Sequence, residues 1–167
     1  MRMYARHKVN SVFCSALLLL LLTSCTSLAA PSSIESQQNA SRDADARVAS
    51  DPVLTGQRYF DLLTAGEFEQ AYEMWGPDTP IHQSGSRRFE QSMLAYQAFH
   101  GEMTGEARTE GAAGTLYAEV PIRVSGARRG EPFSNDGTMT LQRCNDVPGC
   151  SEEQRRWRLD SIDLEQK

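Results

Sequence analysis

Apolar residues recur at helical spacing between positions 53 and 100 and alternate with polar ones from about 103 onward. Asp51-Pro52 opens the helical half, since aspartate caps a helix N-terminus well and proline fits the first turn. Val53, Gly56, Tyr59, Phe60 and Leu63 follow on one stripe, with Leu62 flanking it, and Gly66 marks the stop. Glu67 to Trp75 predicts a second, short helix with Phe68, Ala71, Tyr72 and Trp75 on one apolar face, ended by Gly76-Pro77. Residues 77–85, holding Pro77, Pro80 and Gly85, read as a loop. A third helix is predicted from about Ser86 to Phe99, with Phe89, Met93, Tyr96 and Phe99 or His100 as its stripe and Gly101 closing it.

The period then changes to two. Leu116, Ala118, Val120, Ile122 and Val124 share one face of a strand, and Tyr117, Glu119, Pro121 and Arg123 share the other. Proline cannot donate to a ladder, so Pro121 predicts either a bulge or a free edge position. A weaker strand falls near Met103–Glu110, another spans about Asn135–Cys144, and the last runs from about Arg156 to Leu164. In that last strand Trp157 and Leu159 share a parity that Ile162 and Leu164 break, and a bulge near Asp160-Ser161 reconciles them. Three helices followed by four antiparallel strands define an α+β domain over residues 51–167.

The N-terminus has a different character. Arg2, Arg6 and Lys8 precede an apolar run from Val12 through Leu17–Leu22. That run is too short to span about 30 Å of hydrocarbon as a helix, and a basic start before a short apolar run is the pattern of a secretory leader. The leader ends Leu22-Thr23-Ser24-Cys25, which resembles the bacterial lipobox. The resemblance implies cleavage before Cys25, giving a leader of residues 1–24. It also implies diacylglycerol on the Cys25 sulfur, a third acyl chain on the new amine, and attachment to a membrane outside the cytosol. A thiolate is the nucleophile such lipidation needs, and two or three chains at about 0.8 kcal/mol per buried CH₂ anchor stably. By the same resemblance to Gram-negative lipoproteins, Thr26 rather than Asp at the next position implies the periplasmic face of the outer membrane. Ser27-Leu28-Ala29 leaves ordinary cleavage and a soluble product open as the alternative. Residues 25–50 are rich in Ser, Ala, Gln, Asn and Asp with isolated apolar positions, and are expected to form a flexible tether.

The order of elements resembles the NTF2-like (cystatin-related) superfamily. The residues that carry the resemblance are Tyr59-Phe60-Asp61-Leu62-Leu63, the turn Gly66-Glu67-Phe68, Ala71-Tyr72, Trp75-Gly76-Pro77-Asp78 and the closing Arg156-Trp157-Arg158-Leu159. It implies three helices packed on a strongly curved sheet, enclosing a conical pocket that serves isomerases, dehydratases and non-catalytic binding or assembly domains. The steroid-isomerase branch places a tyrosine and two acids in that pocket. Tyr59 is available as the tyrosine, but Asp61 lies about 200° round the helix and the second acid has no matching position.

Charge narrows the partners. The chain carries 22 acidic against 17 basic residues, a net charge of −5, and loss of the leader makes it more acidic. Such a domain repels phosphate backbones, and the short basic groups Arg128-Arg129 and Arg155-Arg156 do not reverse this, so nucleic acid is not an expected partner. Cys144 and Cys150 remain after Cys14 leaves with the leader and Cys25 takes lipid. Bracketing the turn sequence Asn145 to Gly149, they predict a disulfide, with metal binding as the alternative. His82 reads as a solvated loop residue and His100 as a helix-end imidazole. No P-loop, nucleophile elbow, dinucleotide fingerprint or zinc-protease motif is present, so no cofactor, metal or catalytic set is expected. Tyr59, Tyr72, Trp75, Tyr96, Tyr117 and Trp157 are the natural walls of any pocket, pairing apolar area with one polar tip. Three readings follow: a non-catalytic binding module for a small apolar ligand or an envelope protein, a small pocket enzyme, and an assembly component capable of self-association.

Overall fold

In the computed structural model, which describes residues 33–165 apart from Asp146 with side chains from Gln37 onward, helices come first and strands last. The helices are α1 (Ser33–Ser50), α2 (Pro52–Ala65), α3 (Phe68–Glu73), α4 (Pro80–Ser84) and α5 (Ser86–Met93). The strands are β1 (Tyr96–Met103), β2 (Arg108–Ala112), β3 (Thr115–Arg128), β4 (Glu131–Cys144) and β5 (Arg158–Leu164). The leader and Cys25 lie outside the described residues.

Helix α2 forms where its caps place it. The Asp51 carboxylate accepts from the backbone N–H of Val53 at 2.8 Å and of Leu54 at 3.1 Å. Gly66 takes the left-handed conformation, φ 76°, and donates back to Leu62 and Leu63. Tyr59, Phe60, Leu62 and Leu63 are buried, and each contributes about 1.5–3 kcal/mol by leaving water.

The sheet is antiparallel throughout and four strands wide. The count of four strands is corrected to five, because β1 and β2 lie end to end along one edge of β3, with β4 and then β5 on its other side. Pro121 sits opposite the break between them. Its carbonyl accepts from Thr104 N–H at 2.8 Å, and its missing donor faces the same side, where no ladder bond is demanded. Both hairpin turns are two residues with positive φ, Ala113-Gly114 and Arg129-Gly130, the type I′ geometry that suits strand twist. Asp160 is the expected bulge. Thr140 pairs Ser161 while Leu141 pairs Leu159, so Leu159 and Ile162 both face inward.

Three further expectations change. Residues 33–50, expected as tether, are helical; among the described side chains of α1 only Val48 and Ala49, near its end, are half-buried, too few to give a periodic signal. Residues 80–84, expected as loop, form α4, with Thr79 Oγ1 accepting from His82 N–H and Pro80 in the first turn. The third helix ends at Met93 rather than Phe99. Tyr96 pairs Arg128 across the sheet, and that long-range ladder overrides a local spacing that still reads as helix.

The core lies between the inner sheet face and α2, α3 and α5. Ala118, Val120, Ile122, Val124, Met139, Leu141 and Leu159 meet Tyr59, Phe60, Leu63, Ala71 and Trp75. Gly76 N–H donates to Leu159 O at 2.8 Å and Leu159 N–H to Met74 O at 2.9 Å, a parallel bridge that covers the edge of β5.

Candidate functional site

A cavity of about 470 Å³ opens between α2, the end of α5 and the inner face of the sheet. Its floor is Tyr59, Phe60 and Leu63 from α2 with Val124 from β3, all buried. Met93, Tyr96, Phe99, Phe133 and Ile162 form half-buried walls. Arg128, Glu131 and Pro132, at the β3–β4 turn, and Leu164 on β5 are exposed and form the rim. Two pairs of the aromatic walls pack edge-on, Tyr96 with Phe99 at 5.7 Å and with Phe133 at 5.5 Å between ring centroids, and Phe60 meets Phe99 in a tilted contact at 6.0 Å. Such a lining takes apolar or aromatic surface, with a few polar groups to orient it.

Those polar groups are few. Tyr59 lies 3% exposed, and burial pushes its phenol far above the ordinary tyrosine range. The Trp75 indole, edge-on to it at 5.9 Å, opposes the shift without reaching hydrogen-bond geometry, and Tyr96 adds to it. Tyr59 is therefore neutral at physiological pH and acts as a hydrogen-bond donor or acceptor, never as a charge. Asn135, half-buried on β4, adds an amide to the wall. Among the described lining residues there is no Asp or His, and Glu131 on the exposed rim is the one carboxylate.

The six aromatic candidates divide. Tyr59 and Tyr96 line the cavity. Tyr72 is buried elsewhere, its hydroxyl donating to His82 O at 2.6 Å and its ring stacked on His82 at 4.9 Å. Trp75 is core, and it and Trp157 border separate surface grooves. Trp157 is turned toward α1, donating from Nε1 to Ser50 O at 3.2 Å. Tyr117 pairs with Gln142 on the outer sheet face, away from the cavity. Phe60, Leu63, Phe99, Phe133 and Ile162 line the cavity as well, and the sequence does not mark them as pocket walls. Phe99 was read as helical, and β4 was expected to begin only near Asn135, beyond Phe133.

The histidines are corrected too. His82 lies half-buried in α4 against Tyr72, not solvated in a loop, and His100 is exposed on β1 rather than at a helix end. Cys144 and Cys150 are joined by a disulfide, Cα atoms 6.1 Å apart. Among the described residues no three His, Cys, Asp or Glu side chains converge to hold a metal, and no helix is long and apolar enough to cross a membrane.

No protein family's sequence profile matches the chain, and no curated protein does. Solved structures do. The Kfla4162 protein from Kribbella flavida is 15% identical, with a TM-score of 0.50 over 72% of this chain and 91% of that one. An NTF2-like superfamily protein from Salmonella enterica serovar Typhimurium is 11% identical, with a TM-score of 0.46 over 80% and 92%. An NTF2-like protein with a cystatin-like fold from Novosphingobium aromaticivorans is 14% identical, with a TM-score of 0.43 over 78% and 88%. The fold is α+β with a five-stranded antiparallel sheet, and the solved structures it is similar to include NTF2-like proteins.

Proposed function

We propose that this chain is a lipid-anchored, extracytoplasmic binding module of NTF2-like type, with the cavity between α2 and the sheet as its ligand site. The observation that supports a binding role is the character of the walls. Tyr59, Phe60, Tyr96, Phe99 and Phe133 supply apolar aromatic area, and no Asp or His among the described residues stands beside them as an acid or base. General acid–base chemistry needs such a group within hydrogen-bond reach of substrate; the one lining carboxylate, Glu131, stands on the exposed rim, and Tyr59 stays protonated near neutral pH and so is no base. The lipobox-like Leu22-Thr23-Ser24-Cys25 supports the anchor, and the Cys144–Cys150 disulfide suits an oxidising compartment outside the cytosol.

N-phenyl-1-naphthylamine, a neutral dye that fluoresces in apolar sites, tests the cavity. The full chain is expected to bind it saturably at one site, and Ile162→Trp, which fills the cavity from β5, to abolish that binding while keeping the circular dichroism spectrum. Emission that never saturates, or that Ile162→Trp leaves untouched, contradicts the reading. The anchor is tested separately with globomycin: accumulation of uncleaved precursor is expected, and unchanged processing rules lipidation out.

A further inference from the structure

The rim of the cavity holds a cation turned toward it. Arg128 and Glu131 are cross-strand partners flanking the Arg129-Gly130 turn, a position where opposite charges ordinarily meet. They make no ion pair with each other. The Arg128 guanidinium instead lies over the Tyr96 ring, 5.1 Å from its centroid, on the aromatic wall of the cavity. Among the described residues Arg128 makes no ion pair with any carboxylate, and Gly130 N–H is tied back to Gln97 Oε1 at 3.2 Å, fixing the turn against β1. In a chain with net charge −5, Arg128 and Arg129 at this tip make a local excess of positive charge over Glu131.

We propose that the cavity takes an anionic amphiphile, its apolar body on Tyr59, Phe60 and Phe99 and its acidic head at the Arg128 guanidinium. This rests on the ligand-site reading above and deepens it by naming the chemistry of the ligand. A guanidinium offers paired donors that match a planar or tetrahedral oxyanion, and its π face is already occupied by Tyr96, so the donor edge is left for the head group. Glu131, beside Arg128 at the same hairpin tip, disfavours a second negative charge there, which selects a singly charged head.

A matched dye pair separates the head from the body. 1-Anilinonaphthalene-8-sulfonate and N-phenyl-1-naphthylamine share one ring skeleton and differ by the sulfonate. The full chain is expected to bind the sulfonate tighter. Arg128→Gln is expected to weaken the sulfonate about tenfold and leave the neutral dye within about twofold, and Glu131→Gln to tighten the sulfonate about twofold. If both dyes bind and Arg128→Gln changes neither, the charge proposal fails and the ligand site stands; if neither dye binds saturably, both fail. Displacement of the bound sulfonate by free decanoate points to a soluble acid as the source, and displacement by phosphatidylglycerol vesicles to a membrane lipid. Displacement by neither overturns the proposal.

Discussion

Trp157 and Ser50, far apart in the chain, are joined by a hydrogen bond from the indole Nε1–H to the Ser50 carbonyl at 3.2 Å. The Trp157 backbone N–H donates to Ala49 O, also at 3.2 Å, and Thr55 Oγ1 donates to Val48 O at 2.7 Å. These contacts give the last carbonyls of α1 partners on the domain and dock that end against it. The α1 helix therefore continues the folded unit toward the N-terminus as far as Ser33.

Trp157→Phe removes the indole donor and part of the buried area while keeping an aromatic ring. It is expected to destabilise the chain by about 1–2 kcal/mol in urea denaturation. Deletion of residues 33–47 is expected to cost less, since the side chains from Gln37 to Arg47 are exposed. Equal losses would mean that the docked turn is not what holds α1.

Gly101 leaves room for the Phe60 ring, which occupies the space a Cβ at that position would need. Gly101→Ala is expected to destabilise by about 1–3 kcal/mol through overpacking. Phe60→Leu costs stability alone, yet in the double variant it is expected to recover part of the Gly101→Ala loss. Strict additivity in the double-mutant cycle would contradict the contact.

Tyr59 gives stability a specific alkaline dependence. Its folded-state pKa lies above its unfolded value of about 10, so the folded chain holds a proton that the unfolded chain releases. Stability from this residue is complete below about pH 10 and falls as the pH rises beyond it. Tyr59→Phe is expected to flatten that decline in denaturation midpoints measured between about pH 9 and 11, and a slope identical to wild type would refute the burial of an unionised phenol.

The Cys144–Cys150 bridge closes a loop with a sequence separation of 6. Cys144→Ala/Cys150→Ala is expected to lower stability by about 2 kcal/mol, and reduction of the native chain to lower it similarly. Neither change touches the cavity lining, so dye binding at temperatures where the variant is folded is expected to persist.

Much of this was legible where local chemistry decides the outcome. Asp51-Pro52 and Gly66 frame α2, alternation from Leu116 to Val124 marks β3, and the broken parity between Leu159 and Ile162 marks the bulge at Asp160. The sequence hides what distant pairing decides. Tyr96 and Phe99 continue a helical spacing from Phe89, and only the ladder with Arg128 and Gly126 makes them strand and turns them into walls of the cavity. Thr79-Pro80 carried a readable helix-start signal within a stretch dominated by loop residues. The cavity itself was visible in part: Tyr59 and Tyr96 were identifiable as amphipathic aromatics, whereas Tyr72, Trp75, Tyr117 and Trp157 share that chemistry and are placed elsewhere by topology.

Methyl-resolved NMR of the full chain, titrated with N-phenyl-1-naphthylamine, tests the ligand site most directly. The methyls of Leu63, Val124 and Ile162, which line the cavity, are expected to shift together, while those of Ile122, buried outside it, stay in place. Shifts confined to exposed residues such as Leu54 and Val147, with Leu63 and Ile162 unmoved, would contradict it.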